Sequence, residues 1–281
     1  MEIENYVCFF NEIHPPLLEY IVQNNVKHNS DDIGTTVFAM YSSDPHWKWI
    51  GNYVEKHKVH CLRDLIYSKE EKDNAQWMIV RTTWRYGYPE PSTDYKYEDI
   101  VYSKDNYCDK CGAGLKQKDS FRFKKVPNWG RRHFYAPFWI EDELFVSEAV
   151  KDIFINANIT GISFREVKNK KGDSALQGIW QMYIENMLQP AFVEHNEYIE
   201  KISVCPDCAR KKYLLQSVTG KTEQYKKEAF ANASDIVKGY EIFGGMPLIA
   251  GHKIIINQKT YRAIADNKLD RGLMFYPIEL V

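Results

Sequence analysis

The chain has almost no imbalance of charge: 37 Lys and Arg against 38 Asp and Glu leave a formal net charge of -1. A nucleic-acid scaffold usually carries a strong basic excess, so that class is disfavoured. Long apolar runs are also missing. No stretch approaches the ~20 residues a membrane-spanning helix needs. The opening MEIENYVCFF lacks the basic region and apolar core of a secretory signal. A cytoplasmic protein without membrane association is expected. No G-x-x-x-x-G-K-[ST] loop, nucleophile elbow or paired acidic motif is present, and Gly51, Gly112 and Gly244-Gly245 do not build a phosphate loop. The expectation is a protein without enzymatic activity. The runner-up enzyme reading would need a site assembled from distant residues, with His133 or His195 as a base.

Cysteines are few, six in all, and four of them fall into two pairs. Cys108-Asp-Lys-Cys111 and Cys205-Pro-Asp-Cys208 each place two residues between thiols, so that a tight turn can aim both sulfurs at one ion. In a reducing compartment such pairs read as metal ligands rather than disulfides. Four soft ligands match a closed tetrahedral zinc site, and Zn2+ in a structural role is the expected cofactor. An iron–sulfur centre or a redox dithiol is the alternative. The two pairs lie far apart in sequence, so a whole module must be inserted between them. Cys8 and Cys61 stand outside the pattern. His57, His60 and Cys61 offer a weaker second metal site if the two histidines share a helix face.

Aromatic residues are plentiful, at 14% with 19 Tyr and 7 Trp, and such side chains suit protein interfaces as well as cores. Periodicity gives strands at Tyr6–Phe10, 35–41 and 77–83, a Pro15-Pro16 pair that either breaks the first strand or begins a short helix through Leu17, Leu18, Ile21 and Val22, and a helical tendency over 45–67 that Leu62, Leu65 and Ile66 continue. The clearest segment is LFVSEAVKDIFINANITGISFREV, residues 144–167. It reads as strand, helix and strand, with Ser147 as N-cap and Gly161 at the exit. Residues 254–280 repeat the pattern, with Asn257 in the place of Ser147 and Gly272 in the place of Gly161. A helix is expected over 174–188, a strand over 194–204 and a helical segment over 221–231. The fold class is therefore α+β: a mixed fold stabilised by zinc knuckles, with two similar strand–helix–strand modules. Residues 1–100 form an N-terminal part of unknown role, and 101–281 the zinc-bound domain.

Two basic clusters flank the cysteines. Arg122, Lys124, Lys125, Arg131 and Arg132, with Trp129 among them, follow the first pair. Arg210, Lys211 and Lys212 follow the second. Brought together by the metal, they would form a positive surface for nucleic acid or for an acidic protein.

On Cys108–Gly112, residues 144–167 and Cys205–Cys208, the chain resembles the double-CXXCG immunity-type proteins of bacterial polymorphic toxin systems. Ala209 departs from the pattern, standing where that family often has a second Gly. The resemblance implies a cytoplasmic protein encoded beside a toxin, which binds that cognate toxin and blocks it stoichiometrically. The runner-up function is a zinc-ribbon nucleic-acid-binding or regulatory protein.

Overall fold

Alternation along Glu2–Phe10 and Thr35–Tyr41 sends Val7, Phe9, Phe38 and Met40 to one face of a sheet, as a half-buried strand requires. The computed structural model describes residues 1–172, 174–195, 199–215, 221–244 and 250–281. Met1–Glu71 forms one compact unit; Lys72–Leu215 with Thr222–Val281 makes up the other. In the first unit the strands Asn29–Ser30, Thr35–Tyr41, Glu2–Phe10 and His60–Ile66 lie in that spatial order, all neighbours antiparallel. Helices Pro15–Gln23 and Trp47–His57 cover one face through Leu17, Ile21, Ile50 and Val54. Pro15 suits the first helical position, where its missing N–H costs nothing. The second helix stops at Lys58, whose φ of 53° is left-handed. His57 and His60 therefore share no helix face, and Leu62, Leu65 and Ile66 lie on a strand rather than extending the helix. The opposite sheet face leaves Tyr6, Val37, Tyr41 and Leu62 exposed.

The second unit is α+β with mixed sheets. Strands Arg122–Phe123, Ile162–Asn169, Ala175–Ile184, Leu144–Val146 and Phe134–Tyr135 form one sheet in that order. Strands Ile236–Lys238, Ile254–Asn257, Trp77–Thr82 and Leu273–Pro277 form another. Leu144–Val146 and Ile162–Asn169 both run antiparallel to the strand between them, and so parallel to each other. Ile254–Asn257 and Leu273–Pro277 bracket Trp77–Thr82 in the same way. Helices Glu148–Asn156 and Gln258–Ala265 join the bracketing strands, and both contribute to one core, with Val150, Phe154, Tyr261 and Ile264 beside Val146, Ile256 and Phe275. Gly161 and Gly272 both take positive φ, 89° and 85°. Asn257 caps its helix, its Oδ1 accepting from the Thr260 N–H at 3.0 Å. Ser147 does not: its hydroxyl is hydrogen-bonded to His133 Nδ1 at 2.9 Å.

Three expectations shift. Residues 175–184 are a strand, not part of a helix, because the segment pairs on both edges, with Leu144–Val146 and Ile162–Asn169, and buries Ile179 in one core and Met182 and Ile184 in another. Residues 221–231 give a short strand, Gln224–Tyr225, and a single 3-10 turn, Lys227–Phe230. The first unit ends at Glu71 rather than near residue 100, since Trp77–Thr82 pairs with strands from the far end of the chain. Gly245 and residues 196–198 of the expected strand lie outside the described residues.

One buried group of charges in this unit centres on Lys238. The Lys238 ammonium contacts Glu143 at 2.6 Å and Asp142 at 3.3 Å. Gln181 donates to the second Glu143 oxygen at 2.9 Å, and the His252 backbone N–H donates to Asp142. Burial raises the Asp142 carboxyl, but Lys238 pulls it below the usual range; for Glu143 burial wins and the carboxyl sits high.

Candidate metal centre

Each cysteine pair sits between two short antiparallel strands. Cys108 and Cys111 lie between Tyr102–Ser103 and Lys116–Gln117. Cys205 and Cys208 lie between Ile199–Val204 and Lys211–Leu215. The two turns share one backbone design. Gly112 N–H donates to Cys108 O at 2.8 Å, and Ala209 N–H donates to Cys205 O at 2.9 Å. Cys108 N–H reaches Ala113 O at 2.9 Å, and Cys205 N–H reaches Arg210 O at 3.0 Å. Both residues after the second cysteine are left-handed, Gly112 at φ 74° and Ala209 at φ 56°. The alanine thus occupies a conformation that costs a residue with a Cβ roughly 1–2 kcal/mol.

The four sulfurs converge, all within 4.8 Å of one another. Cys108 Sγ is 3.6 Å from Cys205 Sγ, and Cys111 Sγ is 3.7 Å from Cys208 Sγ. A tetrahedron with metal–sulfur bonds of ~2.3 Å has sulfur–sulfur edges of about 3.8 Å, so the cavity fits one ion. These separations are far longer than a disulfide bond of ~2.05 Å. They are also too short for a cluster whose thiolates each hold a different iron. The cysteines can therefore ligate a single metal ion. Among the described residues this is the one group of His, Cys, Asp and Glu side chains with ligand-like convergence.

Electrostatics favour a cation there. Backbone N–H groups of Cys208 and Asp207 lower the Cys205 thiol to about 7. Burial, with the neighbouring thiols, pushes Cys111 up to about 12. Without an ion the group cannot hold four negative charges; with one, the protons leave and the charges are shared. Two basic residues of the second hairpin brace the first. Arg210 Nη1 donates to Asn106 O at 3.0 Å and Ala113 O at 3.2 Å. Lys212 is buried, and its Nζ donates to Cys111 O at 3.1 Å. Gly114, at φ 100°, allows this close approach, because a Cβ there would collide with the Asn106 carbonyl.

The remaining candidate cations are largely engaged within the chain. Arg122 pairs with Asp119 at 3.0 Å, Lys124 with Glu90 at 3.1 Å and Lys211 with Glu194 at 2.9 Å. Arg132 lies over the Trp84 ring, and Trp129 donates to Gly178 O at 3.0 Å. Lys125 and Arg131 are exposed. A cavity beside the cysteines takes Arg210 and Lys212 from the second cluster and none of the first; its further cations, Lys110 and Lys201, were not singled out in the sequence. Lys110 could have been found there, since it stands between two ligands. Lys201 becomes visible only once its strand is placed. His57 stacks on Tyr53 at 4.2 Å and is outside any ligand group. An exposed aromatic group also escaped the sequence reading. Tyr88 stacks on Phe138 at 4.9 Å, and Trp139, at φ 71°, lies 4.5 Å from both Tyr88 and Tyr95.

No protein-family model matches the chain, and no curated protein matches it either. Among the described residues no helix is long and apolar enough to cross a membrane.

Proposed function

We propose that this chain is a zinc-stabilised, protein-binding inhibitor of the immunity type, which neutralises a cognate bacterial toxin in the cytoplasm by stoichiometric binding. The observation that carries the reading is the closed four-sulfur centre. Four thiolates leave an ion no open position for substrate, so its role is to lock two hairpins together rather than to catalyse. Zinc suits this role better than iron because it has no redox chemistry. Exposed aromatic and aliphatic side chains supply binding surface: Tyr88, Tyr95, Phe138 and Trp139 in one unit, Tyr6, Val37, Tyr41 and Leu62 in the other. The shared bracketing of a third strand supports an origin of residues 144–167 and 254–280 in one duplicated zinc-knuckle-associated module. The nucleic-acid alternative has less support, because most of its candidate cations already have partners within the chain.

The test is co-purification with the product of the neighbouring gene, read by size exclusion and mass, with metal content measured on the same sample. A stable one-to-one complex that protects cells from that product is the expected result. A zinc-loaded protein that forms no such complex would refute the inhibitor reading.

A further inference from the structure

The second hairpin presents a surface that the metal does not use. A cavity of about 300 Å3 opens beside the cysteines. Among the described residues four cationic side chains line it, Lys110, Lys201, Arg210 and Lys212, and no carboxylate does. Its floor is one face of the hairpin, where the register sets Ser203 beside Lys212 and Lys201 beside Leu214. Arg210 and Lys212 are held by backbone carbonyls of the first hairpin. Lys110 and Lys201 are exposed and have no ion pair among the described residues. Even with thiolates around a divalent ion, the cations outweigh the anionic centre, and the cleft attracts negative charge.

The strand beside the cleft is also open. Among the described residues Ile199–Val204 is the end strand of its sheet, with Lys211–Leu215 on one side; the register shifts between Ile199 and Lys201, and Ile199 N–H already donates to His195 O at 3.2 Å. Every residue after Ile199 is exposed, Ile202 by 39% and Val204 by 59%. The outward-facing backbone N–H and C=O groups of Ile202 and Val204 are a template for one more strand. Lys201 and Ser203 face the cleft, while Ile202 alternates to the other face. The edge therefore presents Lys201 on the cleft side and Ile202 on the other.

We propose that this edge docks an extended acidic segment of the partner protein. The segment adds as a strand to Lys201–Val204. Its alternate carboxylates lie over Lys110 and Lys201, and the apolar residues between them cover Ile202. This inference rests on the inhibitor reading and names the face and the chemistry by which the partner is held.

The test uses the zinc-loaded full chain and a labelled eight-residue peptide of alternating Glu and Val, read by fluorescence anisotropy. The peptide is expected to bind at least about fivefold more tightly than its Gln–Val counterpart, the size of two exposed ion pairs. Lys110→Glu combined with Lys201→Glu should weaken it by at least the same factor without loss of zinc. Of two versions N-methylated at alternate residues, the one that blocks the pairing edge should lose binding by that factor, and the other should not. Smaller differences in any of these comparisons overturn the proposal, as does tighter binding of an eight-nucleotide oligothymidylate. If the peptide fails while the neighbouring gene product still forms a complex, the docking face is wrong and the inhibitor reading stands. If the peptide binds as expected but no such complex forms, the inhibitor reading falls and the acidic-strand site remains.

Discussion

Replacing Lys238 by Met should destabilise the second unit by about 3–5 kcal/mol, because one cation serves two carboxylates that water barely reaches. Glu143 lies 2.6 Å from the ammonium and Asp142 3.3 Å, with side chains 6% and 21% exposed. Methionine fills a similar volume, so little of the loss is packing. Urea unfolding of the zinc-loaded chain at neutral pH should show a midpoint lower by about 1–2 M for the transition of this unit. The pH dependence gives a second reading. A carboxyl lowered on folding, like Asp142, stabilises above its unfolded value, and that stability is lost as pH falls through its folded value. A raised one, like Glu143, costs stability as pH climbs from its unfolded to its folded value. Without Lys238, only the His252 contacts oppose burial at Asp142, and both carboxyls shift towards the second kind. The deficit of the variant should therefore shrink as pH falls from neutral towards the ordinary carboxyl range of about 4. Adding Asp142→Asn and Glu143→Gln to Lys238→Met should recover more than half of the loss. A deficit below about 1 kcal/mol, or one that grows with acid, would refute this account of the buried charges.

Other perturbations address the cysteine centre. Cys205→Ser should lower bound zinc and the melting temperature together; with free zinc about a thousandfold above Kd, complete loss of binding removes about 4 kcal/mol. Ala209→Gly should raise stability by about 0.5–1 kcal/mol, relieving the left-handed alanine, and differential scanning calorimetry would detect it. Gly114→Ala should do the reverse, lowering zinc affinity in a competition titration, because its Cβ has no room beside Asn106 and Arg210. Gly161→Ala should destabilise the fold by at least about 1 kcal/mol, since its φ is 89° and its Cβ would strike the Ile236 carbonyl.

The four-cysteine cluster was legible because C-x-x-C is a local device: a turn, two thiols, and backbone N–H groups facing them. The bracketing strands were legible for the same reason, and the pairing of Gly161 with Gly272 anticipated two matching positive φ values. The strand at 175–184 was misread because Leu176, Ile179, Trp180, Tyr183 and Ile184 satisfy helical spacing, while the buried Gln181 at its centre breaks apolar alternation. Gln181 is there to bond Gln117 and Glu143, partners far away in sequence. The two basic clusters looked like a surface because sequence shows charge but not counter-charge. Asp119, Glu90 and Glu194, and the carbonyls around Arg210, become visible only in three dimensions.

The position of Trp77–Thr82 between Ile254–Asn257 and Leu273–Pro277 has a consequence for biosynthesis. On a ribosome adding ~5–20 residues per second, roughly 10–40 s pass between the appearance of this strand and that of its last neighbour. Met78, Ile79 and Val80, all buried in the finished sheet, must wait that long without their partners. The unit formed by Met1–Glu71 has every strand of its sheet in hand long before then. Nascent chains should therefore acquire protease resistance in two separated steps, with the second delayed until synthesis is nearly finished.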